Sequence, residues 1–293
     1  MSVPGGNRLT YRAARLGRRA TASTRALPDF VIAGAARCGT TSLYRYLVEH
    51  PLVMAAQIKE VHFVDRRHNL DKGERWYRSW FPTSAALEAA AAGHEVERAI
   101  CGESTPNYFA HPDAASRLRA VVPEARIILL LREPIDRVWS QYRWQRWWGG
   151  ETLDLADALH AEAERAGAGF EMMGGDRQTR NRFISHGYLA RSRYADQLDW
   201  WLAAYPRRQL LVLRSEDLFA DPAAVLDRTF AFLGLPPFDL STYDIQNRGN
   251  HDGRSANAIE GELRAWLEEC FAEPNRRLAE LTRDLPAGPV AWP

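Results

Sequence analysis

Five short apolar, β-prone runs, at residues 30–33, 52–55, 99–102, 126–131 and 209–213, alternate along this chain with segments of helical periodicity. That alternation is the pattern of parallel βαβ units, in which helices cover both faces of one sheet. An unbroken apolar run such as 127–131 suits a strand buried on both sides, since a solvated face would demand alternation. Helices are expected at 41–49, 114–121, 135–147, 155–166, 189–204, 222–232 and 259–281. The stretch 167–185 carries Gly, Arg and Met without a clear period and is expected to be a mobile loop or lid.

The chain has 293 residues, enough for a sizeable core. The expected architecture is one α/β domain, 28–293, with a central parallel sheet flanked by helices. A disordered tail, 1–27, is expected before it, holding six arginines and no acid. Over the whole chain 38 basic residues face 37 acidic ones, so no overall field would attract nucleic acid or an anionic membrane. No apolar run approaches the roughly 18 residues of a membrane helix. Cys38, Cys101 and Cys270 are widely spaced and odd in number, neither a disulfide framework nor a metal-ligand pattern. They suggest a reducing, cytoplasmic compartment. Nothing in the sequence sets an oligomeric state.

Gly34-Ala35-Ala36-Arg37-Cys38-Gly39-Thr40-Thr41 follows the first apolar run and opens a helix. In that setting successive backbone amides and a helix N-terminus hold phosphate. The Walker spacing fits at Gly34, Gly39 and Thr41, but Thr40 stands where the lysine would reach the β- and γ-phosphates. The cation has moved to Arg37, inside the loop. The run 126–131 ends in Arg132 rather than in a metal-binding Asp. A cation at the C-terminal end of a parallel strand lies where open α/β sheets bind ligands. Ser140, eight residues on, is about two helical turns along and in position to join Arg132 on one anion.

Taken together, Ala36 to Thr41 and Leu131-Arg132-Glu133-Pro134-Ile135-Asp136-Arg137-Val138-Trp139-Ser140 resemble the two cofactor motifs of sulfotransferases that use 3′-phosphoadenosine 5′-phosphosulfate (PAPS). Lys59 to Asp65, Gly102 to Phe109 and Phe271 to Leu278 are similar to motifs of the carbohydrate branch, the heparan sulfate sulfotransferases and their soluble bacterial relatives. The resemblance implies a kinase-like α/β fold and metal-free transfer of a sulfonate to an acceptor hydroxyl, leaving adenosine 3′,5′-bisphosphate. It places the 5′-phosphosulfate on the amides of Arg37, Cys38, Gly39, Thr40 and Thr41, with Ser42 beside them. It places the 3′-phosphate on Arg132 and Ser140, with Tyr188, Arg248 and Gly249 as further nucleotide contacts. Two residues depart from the family pattern: Arg37 replaces a common lysine, and Ser104 replaces a lysine frequent in relatives acting on heparan sulfate.

An alcohol attacks only as its proton is removed, so a base is needed within hydrogen-bond reach of the acceptor. Glu60 occupies the family's base position, with His62 and Asp65 near enough to orient it or the acceptor. Exclusion of water is expected to raise its pKa. Arg37 and the loop amides would stabilise charge on the bridging oxygen. Glu103, at a strand end, is the rival base and a candidate acceptor contact, although a structural role orienting loop amides is the favoured reading. Trp144 and Trp148, four apart on one helix, could wall a sugar ring. The partner expected is a carbohydrate or small-molecule acceptor. Two alternatives share the fold: a nucleotide phosphotransferase, and a non-catalytic nucleotide- or glycan-binding module.

Overall fold

The structure is a computed structural model, and it describes residues 15–166, 169–244 and 259–292. Its frame is a five-stranded sheet of β1 (Phe30–Gly34), β2 (Val53–Ala55), β3 (Ile100–Ser104), β4 (Arg126–Leu131) and β5 (Leu210–Arg214), in the order β2-β3-β1-β4-β5. Every pairing is parallel, with Phe30 in register with Gly102 on one side and Arg126 on the other. Burial explains the composition: all five residues of β1 and the last five of β4 are buried, as a sheet covered on both faces requires.

The helices that position the site are α1 (Thr40–Leu47), α2 (Ala114–Val121), α3 (Pro134–Trp147), α4 (Arg177–His186), α5 (Tyr194–Ala204), α6 (Pro222–Leu233) and α7 (Gly261–Thr282). Helix α3 starts where its sequence says it should. Pro134 occupies its first turn, and the Glu133 carboxylate caps the Asp136 amide at 2.7 Å. The main core surrounds the sheet, and a second cluster packs Ile135, Val138 and Tyr142 of α3 against Tyr188, Leu267 and Phe271. Among the described residues no helix is long and apolar enough to cross a membrane.

Three expectations are corrected. The stretch 167–185 is not a loop where it is described: it forms a short turn of helix, Phe170–Gly174, and most of α4. Only Arg180 and Phe183 of α4 are buried, so the helix carries too little apolar periodicity to be recognised. The expected helices at 155–166 and 189–204 are each broken in two, at Ala161 and Arg193. The described part of the expected disordered tail, from Arg15, is packed. Residues 15–20 are helical, Ala22 is fully buried, and Arg18 and Arg25 donate to the Phe81 carbonyl at 2.7 and 2.9 Å.

Candidate active site

The C-terminal ends of β3, β1 and β4 lie side by side, and the candidate residues gather there. Between β1 and α1, Ala35 donates to the Leu130 carbonyl, anchoring the start of the loop to the neighbouring strand. Gly39 has φ 87°, and a Cβ there would come 2.9 Å from the Phe219 ring, so glycine is required. The amides of Ser42 and Leu43 turn back onto the Gly39 carbonyl. Those of Arg37 to Thr41 donate to no other group among the described residues. Five amides in succession at a helix N-terminus form a cradle for an anion.

Side chains within the loop divide the work. Cys38 is fully buried with its sulfur 3.7 Å from the Tyr194 hydroxyl, and its carbonyl accepts from Ser215 at 2.5 Å. Ser42 is fully buried too, its amide already used by the helix. The Cys38 side chain is committed to this packing, which leaves its amide to face a ligand. Arg37 has φ 72° and donates to Ser140 Oγ through Nε at 3.3 Å and Nη2 at 3.2 Å. Its guanidinium also lies 4.6 Å over the Trp144 ring. Burial, with Arg132 and Arg137 close by, pulls Arg37 down to about 10, which leaves it charged at neutral pH.

Ser140 therefore meets the loop cation rather than Arg132. Arg132 instead lies 3.5 Å from Asp136, and its carbonyl accepts from Tyr194 at 2.9 Å. Tyr188 is fully buried, and its hydroxyl donates to Glu151 at 2.8 Å. Arg248 and Gly249 lie outside the described residues.

Beside the cradle, the turn after β2 is tied to β3 by the Glu60 amide, 3.0 Å from the Ser104 carbonyl. Glu60 and His62 have φ 64° and 54°, and with Arg37 they are the described non-glycine residues of positive φ. Left-handed backbone outside glycine clusters at functional sites, where the surroundings enforce it. Here the enforcement comes from Glu103. Fully buried, it accepts from Tyr77 and Thr105 at 2.5 Å and from Tyr108 at 3.2 Å. Tyr108 and Thr105 in turn catch the amides of Phe63, at 2.7 Å, and His62, at 3.5 Å. Glu103 is thus sealed beneath the turn, in a structural role rather than as the rival base or an acceptor contact. Burial raises its pKa against those three hydroxyl donors.

His62 lies between two carboxylates, with Nδ1 2.7 Å from Asp65 Oδ2 and Nε2 3.5 Å from Glu60 Oε2. Burial alone would lower its pKa, but Asp65 and Glu60 push it up to about 9. Glu60 Oε1 is also 2.7 Å from Lys59 Nζ. Burial alone would raise the Glu60 carboxyl, yet His62 and Lys59 outweigh it and hold it at about 2. The expected rise is therefore reversed. The turn holds an ionised carboxylate clamped by two cations, with Asp65 orienting the imidazolium.

Trp144, beside the loop cation, belongs to a tryptophan cluster at the end of α3. Trp144 is taken up by Arg37, whereas Trp148 is 63% exposed and stands edge-on to it at 5.6 Å. Trp147, which sequence reasoning passed over, is 57% exposed and 4.7 Å from Trp148. Adjacent tryptophans past a predicted helix are the signal that could have found it.

A sulfotransferase domain model matches residues 27–252. The chain belongs to the sulfotransferase family. It is accordingly an enzyme of the sulfotransferase class. A crystal structure of a sulfotransferase from Alicyclobacillus acidocaldarius is 29% identical and superposes with a TM-score of 0.64, covering 89% of this chain and 98% of that one. The human bifunctional heparan sulfate N-deacetylase/N-sulfotransferase 3 is 29% identical over 91% of this sulfotransferase chain. A membrane-associated sulfotransferase of Dictyostelium discoideum, kil1, is 25% identical over 87% of it. The chain spans 31% of the human relative's length and 65% of the Dictyostelium one.

Proposed function

We propose that this sulfotransferase moves a sulfonate group from PAPS to a hydroxyl of a carbohydrate or other small-molecule acceptor, with Glu60 as general base. The observation that carries the reading is the five-amide cradle closed by an arginine, Arg37, instead of a Walker lysine. The residues fit the donor. The amides of Arg37 to Thr41 suit the 5′-phosphosulfate, and Arg132, at the end of the adjacent strand, suits the 3′-phosphate. Bound PAPS supplies an activated sulfonate with a phosphate leaving group.

The chain's own residues account for the rest. Arg37 neutralises the bridging oxygen as the sulfur–oxygen bond to phosphate breaks, and Ser140 and Trp144 hold its guanidinium in place. Glu60 accepts the acceptor's proton as the new sulfur–oxygen bond forms. At a pKa of about 2 it is ionised throughout the physiological range but is a weak base. Proton transfer is therefore late, and most of the rate comes from alignment and electrostatics. Lys59 must release Oε1 for the acceptor hydroxyl to reach it. The exposed Trp147 and Trp148 offer flat faces to an acceptor ring.

The test is turnover of PAPS with a panel of hydroxylated sugars and phenols by wild type and Glu60→Gln. The variant should lose about 10²–10⁴-fold in kcat while binding adenosine 3′,5′-bisphosphate normally. A Glu60→Gln enzyme with a near-normal rate would remove Glu60 from the chemistry.

A further inference from the structure

Arg137 on α3 is completely buried, and among the described residues every hydrogen bond it makes goes to a neutral acceptor: Ser192 Oγ at 2.6 Å, Gln141 Oε1 at 2.8 Å, and the carbonyls of Tyr188 at 2.8 Å and Gly187 at 3.5 Å. Arg191 is 4% exposed and repeats the pattern, donating to the Ile184 carbonyl at 2.8 Å and Asn107 Oδ1 at 2.7 Å. Among the described residues neither makes an ion pair. The nearby buried carboxylate, Glu162, accepts the amides of Leu189 and Ala190 at 2.6 and 2.9 Å instead of a guanidinium. Burying a charge without a partner costs several kcal/mol in proteins generally, and an arginine cannot escape by shedding its proton.

Both arginines are close enough to the loop for their charges to couple with Cys38. Arg137 is one helical turn before Ser140, the residue that holds Arg37. Its partner Ser192 is two residues from Tyr194, whose hydroxyl contacts both Cys38 of the loop and the Arg132 carbonyl. We propose that Arg137 and Arg191 are electrostatic positioning residues. They form a fixed, dry positive field behind the loop, offset only in part by Glu162 and complemented further when a multiply charged donor occupies the cradle. In this interior the field is weakly screened, so it reaches a ligand that neither side chain touches. The depressed pKa of Arg37, to which Arg137 contributes after burial and Arg132, is the same field felt by a neighbouring cation. Burial, with Arg137 next, also brings Arg191 down to about 9, which leaves it charged at neutral pH.

The inference rests on the donor reading above, and a ligand charge series separates the two. Calorimetry of wild type, Arg137→Gln, Arg137→Lys and Arg191→Gln would use AMP, adenosine 3′,5′-bisphosphate and inorganic pyrophosphate. Arg137→Gln is expected to weaken the bisphosphate and pyrophosphate on the order of tenfold and AMP distinctly less, with Arg137→Lys recovering most of the loss. Arg191→Gln should show the same grading, and it carries the test if Arg137→Gln does not fold. Equal losses for all three ligands would mean a structural role, and unchanged affinities would mean no role; either overturns the inference. A wild type that binds pyrophosphate but does not prefer the bisphosphate to AMP overturns the donor reading instead, while the pyrophosphate losses still test the field.

Discussion

Arg37 of the loop after β1 and Ser140 of α3, 103 residues apart in sequence, are joined by two hydrogen bonds of 3.3 and 3.2 Å. One motif therefore aims the cation of the other. Ser140→Ala should leave the fold intact and free the guanidinium. Hydrogen bonds to charged groups contribute about 1.5–3 kcal/mol, so kcat/KM for the donor should fall about 10- to 100-fold. Steady-state kinetics at saturating acceptor measure this directly, with thermal denaturation as the control for folding.

The loop needs a residue without Cβ at position 39. Gly39→Ala would force alanine to φ 87° and into the Phe219 ring. It should destabilise the protein by roughly 1–2 kcal/mol from backbone strain alone. It should also weaken bisphosphate binding, because the amides on either side share the turn. Urea denaturation and calorimetry on one preparation would report both effects.

The outline of the fold was legible because its strands are uniform inside. Run 126–131 reads as a strand in sequence and is one in the structure, since after Arg126 its five residues are buried and none is polar. Pro134 after Glu133 marks the start of α3 equally clearly. Helix α4 was illegible because Arg180 and Phe183 are its buried residues, although its Asp176 cap was present in the sequence. The packing of Arg15 and Arg18 was hidden for another reason: both donate to the Ser79 carbonyl, 64 and 61 residues away. The site's residue types could be read from motifs, but the direction of the Glu60 shift could not. It depends on a turn that folds Lys59 and His62 onto one carboxylate.

That clamp predicts a pH dependence of stability. The His62 pKa rises from its ordinary 6.5 to about 9 on folding. The stabilisation is therefore fully present below pH 6.5 and is lost as pH rises through about 9. Each pKa unit corresponds to about 1.4 kcal/mol, so the loss is about 3 kcal/mol at most. Melting temperature should fall between pH 6.5 and 9 in wild type. In His62→Gln that slope should vanish; an unchanged slope would show that other groups set it.

On the proposed mechanism, His62 and Lys59 together set the acid limit of activity. In the proposed mechanism Glu60 acts as a carboxylate, so its contribution is present above its folded pKa and lost as pH falls through about 2. Lys59→Gln removes one of the two cations and should move the acid limb of kcat/KM upward by on the order of one pH unit. Profiles carried down to about pH 3 should show the acid limb in the variant before it appears in wild type.

The measurement that tests the central claim most directly is calorimetric titration with adenosine 3′,5′-bisphosphate against ADP and AMP, with and without Mg²⁺. The account predicts tight binding that needs no metal, requires the 3′-phosphate and is weakened by Arg132→Ala. A preference for ADP that depends on Mg²⁺, or no binding of the bisphosphate, would contradict it.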